Sequence, residues 1–257
     1  MKKQTIAEIK SLLSEEKVDH EFLNVLKHDE RKGVQKLLQS YRRQHQKKIE
    51  LKRRFEYMSH FEKKCRKAGY HLIAGIDEAG RGPLAGPVVA AAVILPVEFE
   101  LLGLNDSKQL SEAKRLDYDT YIKENAIAYG IGIVHQDQID ELNILGATKL
   151  AMKRALHALT PEADYVLIDA VSLSHLPIPF RAINKGDEQS ISIAAASILA
   201  KVTRDKWMSK IHQEYPMYDF ASNMGYGTKH HLNALERYGI SPYHRKSFAP
   251  VKKYLKV

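Results

Sequence analysis

Two short apolar runs in the second quarter of the chain constrain the fold more than any other feature. Residues 72–76 and 88–95 carry no charge and are joined by a loop rich in glycine and proline. Runs of this length between such loops are typical of buried strands, here paired in a hairpin. The first run leads directly into Asp77 and Glu78. Two like charges about 4 Å apart repel by about 4 kcal/mol at an effective dielectric constant near 20, so the pattern predicts a cation beside this strand end.

The first 68 residues have a different pattern, which predicts helices. Thr5 and Glu8 have the spacing of a capping box, and apolar residues recur at helical intervals through this part of the chain. Gly69 ends the helical pattern, and the short apolar runs begin after it. We therefore predict a basic helical N-terminal extension over residues 1–69 and a second domain over residues 70–257.

Beyond the hairpin, strand patterns and helix patterns alternate. Short or alternating apolar runs predict strands over residues 126–134, 165–168 and 180–183, and helical periodicity predicts helices from Ser111, over 142–159 and over 190–214. This order indicates an α/β fold, in which a mixed sheet is flanked by helices and followed by a helical C-terminal region.

The net charge of +9 is confined to the N-terminal part of the chain. The first 70 residues contain 19 Lys and Arg against 10 Asp and Glu, whereas the remaining residues contain 21 of each. This asymmetry favours a polyanionic partner, because each basic residue placed near a phosphate releases condensed counterions. A merely solvated helix face is the alternative.

Other compositional features exclude several classes of protein. The longest apolar run, residues 84–95, contains Gly86 and Pro87, so neither a signal peptide nor a membrane span is predicted. The one cysteine, Cys65, can form no internal disulfide and cannot anchor a cysteine metal site. We therefore expect a cytoplasmic protein without a membrane partner.

Four carboxylates are candidates for one site. Asp77 and Glu78 follow one apolar run, Asp169 ends another, and Asp187 precedes a helix. Ligands of α/β sheets bind where strands end at one edge, so these acids can converge. Carboxylates without histidine or cysteine suit Mg²⁺ or Mn²⁺ better than zinc, and such ions would supply the expected positive charge. Alternatively each acid is a turn or cap residue, since spacing alone does not bring them together.

The loop after these first two acids contains Gly80, Arg81 and Gly82. Glycines without Cβ atoms allow the backbone to approach a ligand closely, and arginine can donate to phosphate or hydroxyl oxygens. The loop lacks both the GK[ST] of a P-loop and the G-x-G-x-x-G of dinucleotide-binding folds. A turn with a surface arginine is therefore the alternative.

Four longer motifs carry a family resemblance. GIDEAGRGPLAGPVVAAAV, KGDEQSISIAAASILAKVTRD, GYGTKHH and HRKSF occur in the order found in bacterial ribonuclease HII, which the chain resembles over residues 70–250. The resemblance implies a ribonuclease-H-like fold and hydrolysis of the RNA strand in RNA/DNA hybrids, including cleavage at single ribonucleotides in duplex DNA. It also implies Mn²⁺ or Mg²⁺ as the cofactor. We further expect a monomer.

The resemblance assigns metal binding to Asp77, Glu78, Asp169 and Asp187. We hypothesise two ions that share Asp77, one lowering the pKa of an attacking water and the other stabilising the leaving 3′ oxygen. Cleavage 5′ of the ribonucleotide would leave a 5′-phosphate and a 3′-hydroxyl. Since none of these acids precedes Lys67, a chain that begins near there is expected to retain the cleavage site. It is also expected to bind substrate more weakly at low salt, with a shallower salt dependence, because it lacks the basic extension.

Substrate recognition is assigned by the same resemblance. Gly80, Arg81 and Gly82 match the loop that recognises the ribose 2′-hydroxyl and its phosphate, and the arginine distinguishes the chain from ribonuclease HIII, where lysine is expected. Tyr226 matches the tyrosine that stacks on the next nucleotide's sugar, with core packing as the alternative. Ala170 departs from the pattern, because many relatives carry glycine there; we expect little effect.

Several residues and functions stay open. Lys201 and Arg204 are expected to contact phosphates, unless they are ordinary helix-surface charges. His230 and His231 are expected at the surface rather than at zinc, since adjacent residues on a helix point apart. Two other functions compete with the implied one: another metal-dependent nuclease or strand-transfer enzyme, which would need no 2′-hydroxyl, and a catalytically silent hybrid-binding protein.

Overall fold

A computed structural model of the chain describes residues 4–14, 18–173 and 176–255. The chain divides into two compact units, Met1–Arg54 and Phe55–Val257.

The first unit is helical, as predicted. Its elements are α1 (Ile6–Leu13), α2 (His20–Lys27) and α3 (Lys32–Met58), the last of which continues into the second unit. The capping box is present, because the Glu8 amide donates to the Thr5 hydroxyl and the Thr5 amide donates to the Glu8 carboxylate at 2.7 Å. A small core packs between the helices, formed by Ile9, Leu26, Val34 and Leu38. The helix predicted over residues 1–3 and 15–17 lies outside the described residues.

The second unit alternates strands with helices. Its strands are β1 (Ile73–Ala79), β2 (Val88–Ile94), β3 (Ala128–Val134), β4 (Tyr165–Asp169) and β5 (Phe180–Ile183). Its helices are α4 (His60–Lys67), α5 (Glu112–Asn125), α6 (Gln136–His157), α7 (Ile191–Glu214), α8 (Phe220–Asn223), α9 (Lys229–Tyr238) and α10 (Ala249–Lys252). Short 3₁₀ turns occur at Ser107–Gln109, Gly186–Glu188 and Pro216–Tyr218.

The five strands form one mixed sheet in the order β3-β2-β1-β4-β5. The predicted hairpin is confirmed, since β1 and β2 are antiparallel with Ala74 opposite Ile94. Strand β3 continues the antiparallel half, whereas β4 and β5 pair in parallel with β1 and with each other. The predicted α/β class is therefore confirmed.

Helices cover both faces of the sheet. Alternate residues of β2 point to opposite faces, so Ala90 and Ala92 pack with α6 while Ala91 and Val93 pack with α5 and α7. This alternation follows from the two-residue period of a strand, and it explains why β2 is apolar throughout.

Gly75 allows α7 to approach β1. A Cβ atom at this position would lie 2.1 Å from the backbone carbon of Ser192, which is part of the first turn of α7. Because the obstructing atom is backbone, it could not move aside without moving the helix. The glycine thus allows the start of α7, and the acidic turn before it, to pack directly against the strand that carries Asp77.

One boundary differs from the sequence-based predictions. Helix α6 begins at Gln136 rather than at residue 142, and it is interrupted at Asn143, where φ is 58° and ψ is 169°. The second compact unit includes Met58 and Phe61, which pack in its hydrophobic clusters, while the domain boundary near Gly69 stays a prediction. Among the described residues, no helix is long and apolar enough to cross a membrane.

Candidate active site

The ends of two parallel strands bring the predicted acids together. Ile76 of β1 lies opposite Ile168 of β4, so Asp77 and Asp169 occupy the next position on adjacent strands. Asp187 lies in the 3₁₀ turn before α7, and this turn is tied to β4 because the Gly186 amide donates to the Asp169 carboxylate at 2.7 Å. Sheet register and one hydrogen bond therefore gather acids that are distant in sequence.

The four carboxyl groups form one electrostatic cluster. Burial, and then the charges of Glu78 and Asp169, raise the pKa of Asp77 well above its usual range. Burial also raises the pKa of Glu78 and of Asp169. Burial and the charge of Asp169 raise the pKa of Asp187 to about 6. The cluster thus concentrates negative charge that a cation would neutralise.

Two basic side chains stand beside the cluster. Arg81 Nη1 lies 3.2 Å from Glu78 Oε1. Lys108 Nζ lies 3.9 Å from Asp106 Oδ1. Burial tends to lower the pKa of Lys108, but the charges of Asp106, Asp187 and the other acids outweigh it, so the pKa is raised. Sequence reasoning missed both Asp106 and Lys108, since no predicted strand ends at this loop and Asp106 caps only the short 3₁₀ turn Ser107–Gln109.

The donor set fits hard divalent cations such as Mg²⁺ or Mn²⁺. All four predicted ligands are carboxylates, and Glu78 Oε2 is buried without a hydrogen-bond partner among the residues that the structure describes. In the described ranges no three His, Cys, Asp or Glu side chains are close enough to hold one ion between them. Magnesium commonly uses one or two carboxylates and completes its shell with water and substrate phosphate oxygens, so a closed protein cage is not required.

The predicted recognition residues lie next to each other. Gly80 has φ of +95°, and a Cβ atom on Gly82 would lie 3.5 Å from Tyr226 Cε1. The Leu84 amide donates to the Gly225 carbonyl at 2.7 Å, which joins the glycine-containing loop to the GYGT segment. Tyr226 is 49% exposed, so the alternative that it packs in the core does not hold.

Ala170, where the sequence departs from the family pattern, adopts a left-handed conformation. Its φ is +48°, which favours glycine, and its amide donates to the Ile183 carbonyl at 3.0 Å. A glycine at this position, which the resemblance implies for many relatives, would suit this backbone geometry. In this chain the strand end that carries Asp169 accommodates alanine instead.

The structure gives the two predicted phosphate contacts different surroundings. Lys201 is partly buried and pairs with Asp205 at 2.7 Å, and its phosphate contact stays a prediction. Arg204 is 1% exposed, and its guanidinium donates to the carbonyls of Pro87, Ala85 and Met224. The prediction for Arg204 is corrected accordingly, because its Nε and Nη2 donors bind backbone carbonyls inside the protein.

His231 also differs from its predicted surface position, although His230 is exposed. His231 is fully buried and its Nε2 lies 2.9 Å from Nε2 of His244. Its Nδ1 contacts the carbonyl of Tyr226 at 2.9 Å. Burial lowers the pKa of His231, so this pair is a neutral packing element.

Comparisons with known proteins agree along the whole chain. The family model for Ribonuclease HII matches residues 74–251, and that for the Ribonuclease HII N-terminal domain matches residues 5–66. Ribonuclease HII of Oceanobacillus iheyensis is 54% identical over 99% of this chain and 97% of its own length. That of Listeria monocytogenes is 55% identical over 96% of this chain and 95% of its own.

Solved structures share the fold of the second unit's sheet and helices. Ribonuclease H2 of Pyrococcus horikoshii aligns with a TM-score of 0.63 and 26% identity, covering 71% of this chain and 96% of that one. Ribonuclease HII from Archaeoglobus fulgidus, solved in a complex with PCNA, aligns with a TM-score of 0.58 and 27% identity, covering 68% and 93%. With more than half of its residues shared over nearly full length with named members, the chain belongs to the ribonuclease HII family of metal-dependent endonucleases, hydrolases that act on RNA in RNA/DNA hybrids.

Proposed function

We propose that this enzyme cuts the RNA strand of hybrids and also cuts 5′ of single ribonucleotides embedded in duplex DNA, leaving 5′-phosphate and 3′-hydroxyl ends. One observation supports this most directly: Arg81 contacts Glu78 of the acidic cluster, and its neighbour Gly82 lies beside Tyr226. A group that senses a ribose therefore adjoins the groups suited to phosphate chemistry. The 2′-hydroxyl is what distinguishes RNA from DNA at such a site.

Asp77, Glu78, Asp169 and Asp187 would hold one or two Mg²⁺ or Mn²⁺ ions. When bound, such ions supply an activated water and stabilise the charge on the leaving 3′ oxygen. Residues of the chain position the reacting groups. The sheet fixes the positions of the acids, and the Arg81 guanidinium is a cationic hydrogen-bond donor at the edge of the cluster. Asp77 is only 5% exposed, so the protein shields it from most of the bulk water.

One cleavage experiment separates the proposed function from its two competitors. Duplexes of identical sequence, with and without one internal ribonucleotide, are incubated with the protein and Mg²⁺ or Mn²⁺. We expect a single cut 5′ of the ribonucleotide and no cut in the all-DNA duplex. Equal cleavage of both duplexes would favour a nuclease that ignores the 2′-hydroxyl, and binding without cleavage would favour a silent binding protein.

Arg81→Ala and Tyr226→Ala are both expected to weaken cleavage of the single-ribonucleotide duplex. Loss of Arg81 removes charge-assisted donors, and loss of the Tyr226 ring is expected to cost about 1 to 3 kcal/mol if it stacks on the nucleic acid. Steady-state cleavage rates measure both effects. Tyr238→Ala is the matched control, because Tyr238 is similarly exposed at 51%. Wild-type rates in both variants would refute the recognition roles.

The basic face of the first unit is proposed to add nonspecific phosphate contacts. Seven exposed basic residues lie on α3: Arg42, Arg43, Lys47, Lys48, Lys52, Arg53 and Arg54. Each phosphate neutralised adds about 0.9 to the negative slope of log affinity against log salt. Changing Arg42, Arg43, Lys47 and Lys48 to glutamine in the full chain should therefore weaken duplex binding at low salt and make the slope shallower.

Fluorescence anisotropy at several salt concentrations measures this slope. Replacing Arg42 and Arg43 by lysine is the control, since it keeps the charge and should keep the slope. Identical slopes for the wild type and the four-glutamine variant would leave this face with a role other than nucleic-acid binding, such as contact with another protein.

A further inference from the structure

Two arginines of the second unit are completely buried. Arg245 is 0% exposed and Arg204 is 1% exposed. Arginine is rarely buried to this extent unless it is paired with an acid, because moving its charge out of water is costly. Their position therefore requires an explanation.

Both guanidinium groups bind the backbone of the loop between β1 and β2. Arg245 donates to the carbonyls of Gly80 at 2.6 Å, Arg81 at 2.9 Å and Gly86 at 2.9 and 3.0 Å. Arg204 donates to the carbonyls of Ala85 and Pro87, and to that of Met224 beside the GYGT segment. Five of the eight carbonyl groups from residue 80 to residue 87 thus point inward at these two side chains.

Gly80 is shaped for this contact. A Cβ atom there would lie 2.1 Å from Arg204 Nε and 2.5 Å from Arg204 Cδ. Any larger residue would displace the guanidinium group, in addition to the strain of φ at +95°. The glycine therefore serves the arginine behind the loop as well as any ligand in front of it.

Neither charge is matched by an acid in the described structure. Among the described residues, no salt bridge within 4 Å involves Arg204 or Arg245. Asp140 is the acid whose charge acts on Arg245, yet its carboxylate accepts from the amides of Lys246 and Ser247 and from the Ser247 hydroxyl. Burial lowers the pKa of Arg204 to about 10 and that of Arg245 to about 9, both still cationic at neutral pH. Two positive charges therefore lie directly behind the loop.

The opposite side of the loop is left with free donors. In the part of the chain that the structure describes, the amides of Gly80, Arg81 and Gly82 make no hydrogen bond within the protein. Gly82 of this loop lies beside Tyr226, since a Cβ atom on it would be 3.5 Å from Tyr226 Cε1. Amides backed by fixed positive charge favour an electron-rich oxygen such as that of a hydroxyl or phosphate group.

We propose that Arg204 and Arg245 are positioning residues for ribonucleotide discrimination: they hold the amides of residues 80–82 and a fixed positive potential towards the ribose 2′-hydroxyl and its phosphate, without touching the substrate. The inference rests on the proposed function, because it explains how the same loop recognises a ribonucleotide. Both arginines act through the backbone carbonyls that they bind. The arrangement of the guanidinium N–H groups therefore matters more than the positive charge alone.

The substitutions Arg204→Lys and Arg245→Lys distinguish the effect of the guanidinium geometry from the effect of its positive charge. Lysine keeps the positive charge but has one nitrogen, which cannot reach three carbonyl groups in the way that the planar guanidinium group does. Affinity is measured by fluorescence anisotropy in EDTA, for two duplexes that differ only in one 2′-hydroxyl. We expect each variant to lose about tenfold of the wild-type preference for the ribonucleotide duplex, while its affinity for the all-DNA duplex changes by less than about twofold.

Arg154→Lys is the matched control, since Arg154 donates to the Ile133 carbonyl at 2.5 Å on strand β3. It is expected to keep the wild-type preference. Thermal unfolding followed by circular dichroism shows that each variant is folded at the assay temperature. A lysine variant that is folded and keeps the wild-type preference would overturn the inference, as would failure of both lysine variants to fold, which would assign the arginines to the fold alone. A wild type without any preference would instead refute the proposed function.

Discussion

Replacing Asp77 or Asp169 by asparagine is expected to lower cleavage at least about a hundredfold while the protein stays folded. Asparagine keeps the shape of the side chain but removes the charge that a divalent cation needs. Both residues sit on the sheet and adjoin each other across β1 and β4, so neither can be replaced by a neighbour. Initial rates on a single-ribonucleotide duplex in saturating Mg²⁺ or Mn²⁺ measure the effect.

Asp117→Asn is the control for this pair, because Asp117 is exposed on α5, outside the cluster. Its cleavage rate should equal that of the wild type. A folded Asp77→Asn protein with a near-normal rate would refute the assignment of the metal ligands.

The same cluster gives the metal-free protein a characteristic pH dependence. The folded pKa of Asp187 is raised to about 6, so between about pH 4 and pH 6 the native state binds more protons than the unfolded state. The free energy of unfolding therefore falls as the pH rises through this window. Asp187→Asn removes the destabilisation caused by the ionised Asp187 carboxylate. The thermal unfolding midpoint of this variant in EDTA should therefore exceed that of the wild type at pH 7.5, and the difference should shrink towards pH 5. A difference that grows on acidification would contradict the raised pKa.

A chain that begins at Lys67 is expected to be unfolded, which reverses the expectation drawn from the sequence. Met58 is fully buried and Phe61 is 8% exposed, both in clusters that pack against the sheet or α7. Deleting two such side chains costs about 5 to 10 kcal/mol, comparable to the 5–15 kcal/mol by which typical domains are stable. Cleavage should then be lost although every acid is retained.

Removing residues up to Lys67 also removes a buried carboxylate. Glu62 Oε1 accepts from the Ser190 hydroxyl at 2.5 Å and from the Ser192 amide at 3.0 Å, at the start of α7. Without it, the Ser192 amide would lose this acceptor beside the turn that carries Asp187. The loss therefore reaches the candidate active site as well as the core.

Thermal unfolding and cleavage of two truncated chains measure this effect. A chain that begins at Phe55 retains the second compact unit and is expected to fold and cleave. In the full-length protein, Phe61→Ala should lower the unfolding midpoint strongly, whereas Tyr57→Ala, at a position 60% exposed, should not. A cooperatively folded, active chain that begins at Lys67 would show that α4 is dispensable.

Much of the fold could be predicted because it is encoded locally. The continuous apolar run of β2, the Ser111 and Ser190 caps and the acid at the end of β4 are each visible within about ten residues. Because ligands of α/β sheets bind where strands end at one edge, these local patterns allowed Asp77 and Asp169 to converge, and the register of β1 and β4 brings them together.

The errors have a common physical cause. Helix α7 is buried on nearly every side over its first ten residues, so it has no polar face from which the environment of Arg204 could be judged. The environment of His231 depends on His244, which lies in a different segment. Asp106 and Lys108 enter the cluster only because their loop folds over it.

The sequence by itself thus determined the order of strands and helices, the acids at the strand ends and the family, because these depend on periodicity and on contiguous motifs. Only the tertiary structure decided which charges are buried, where the second unit begins and what stands behind the glycine-containing loop. Burial and pairing are set by residues far apart in the chain, as when Arg245 binds the carbonyl of Gly80. A polar residue has the same local pattern whether its partner is water or a distant backbone carbonyl, so only the folded arrangement distinguishes the two.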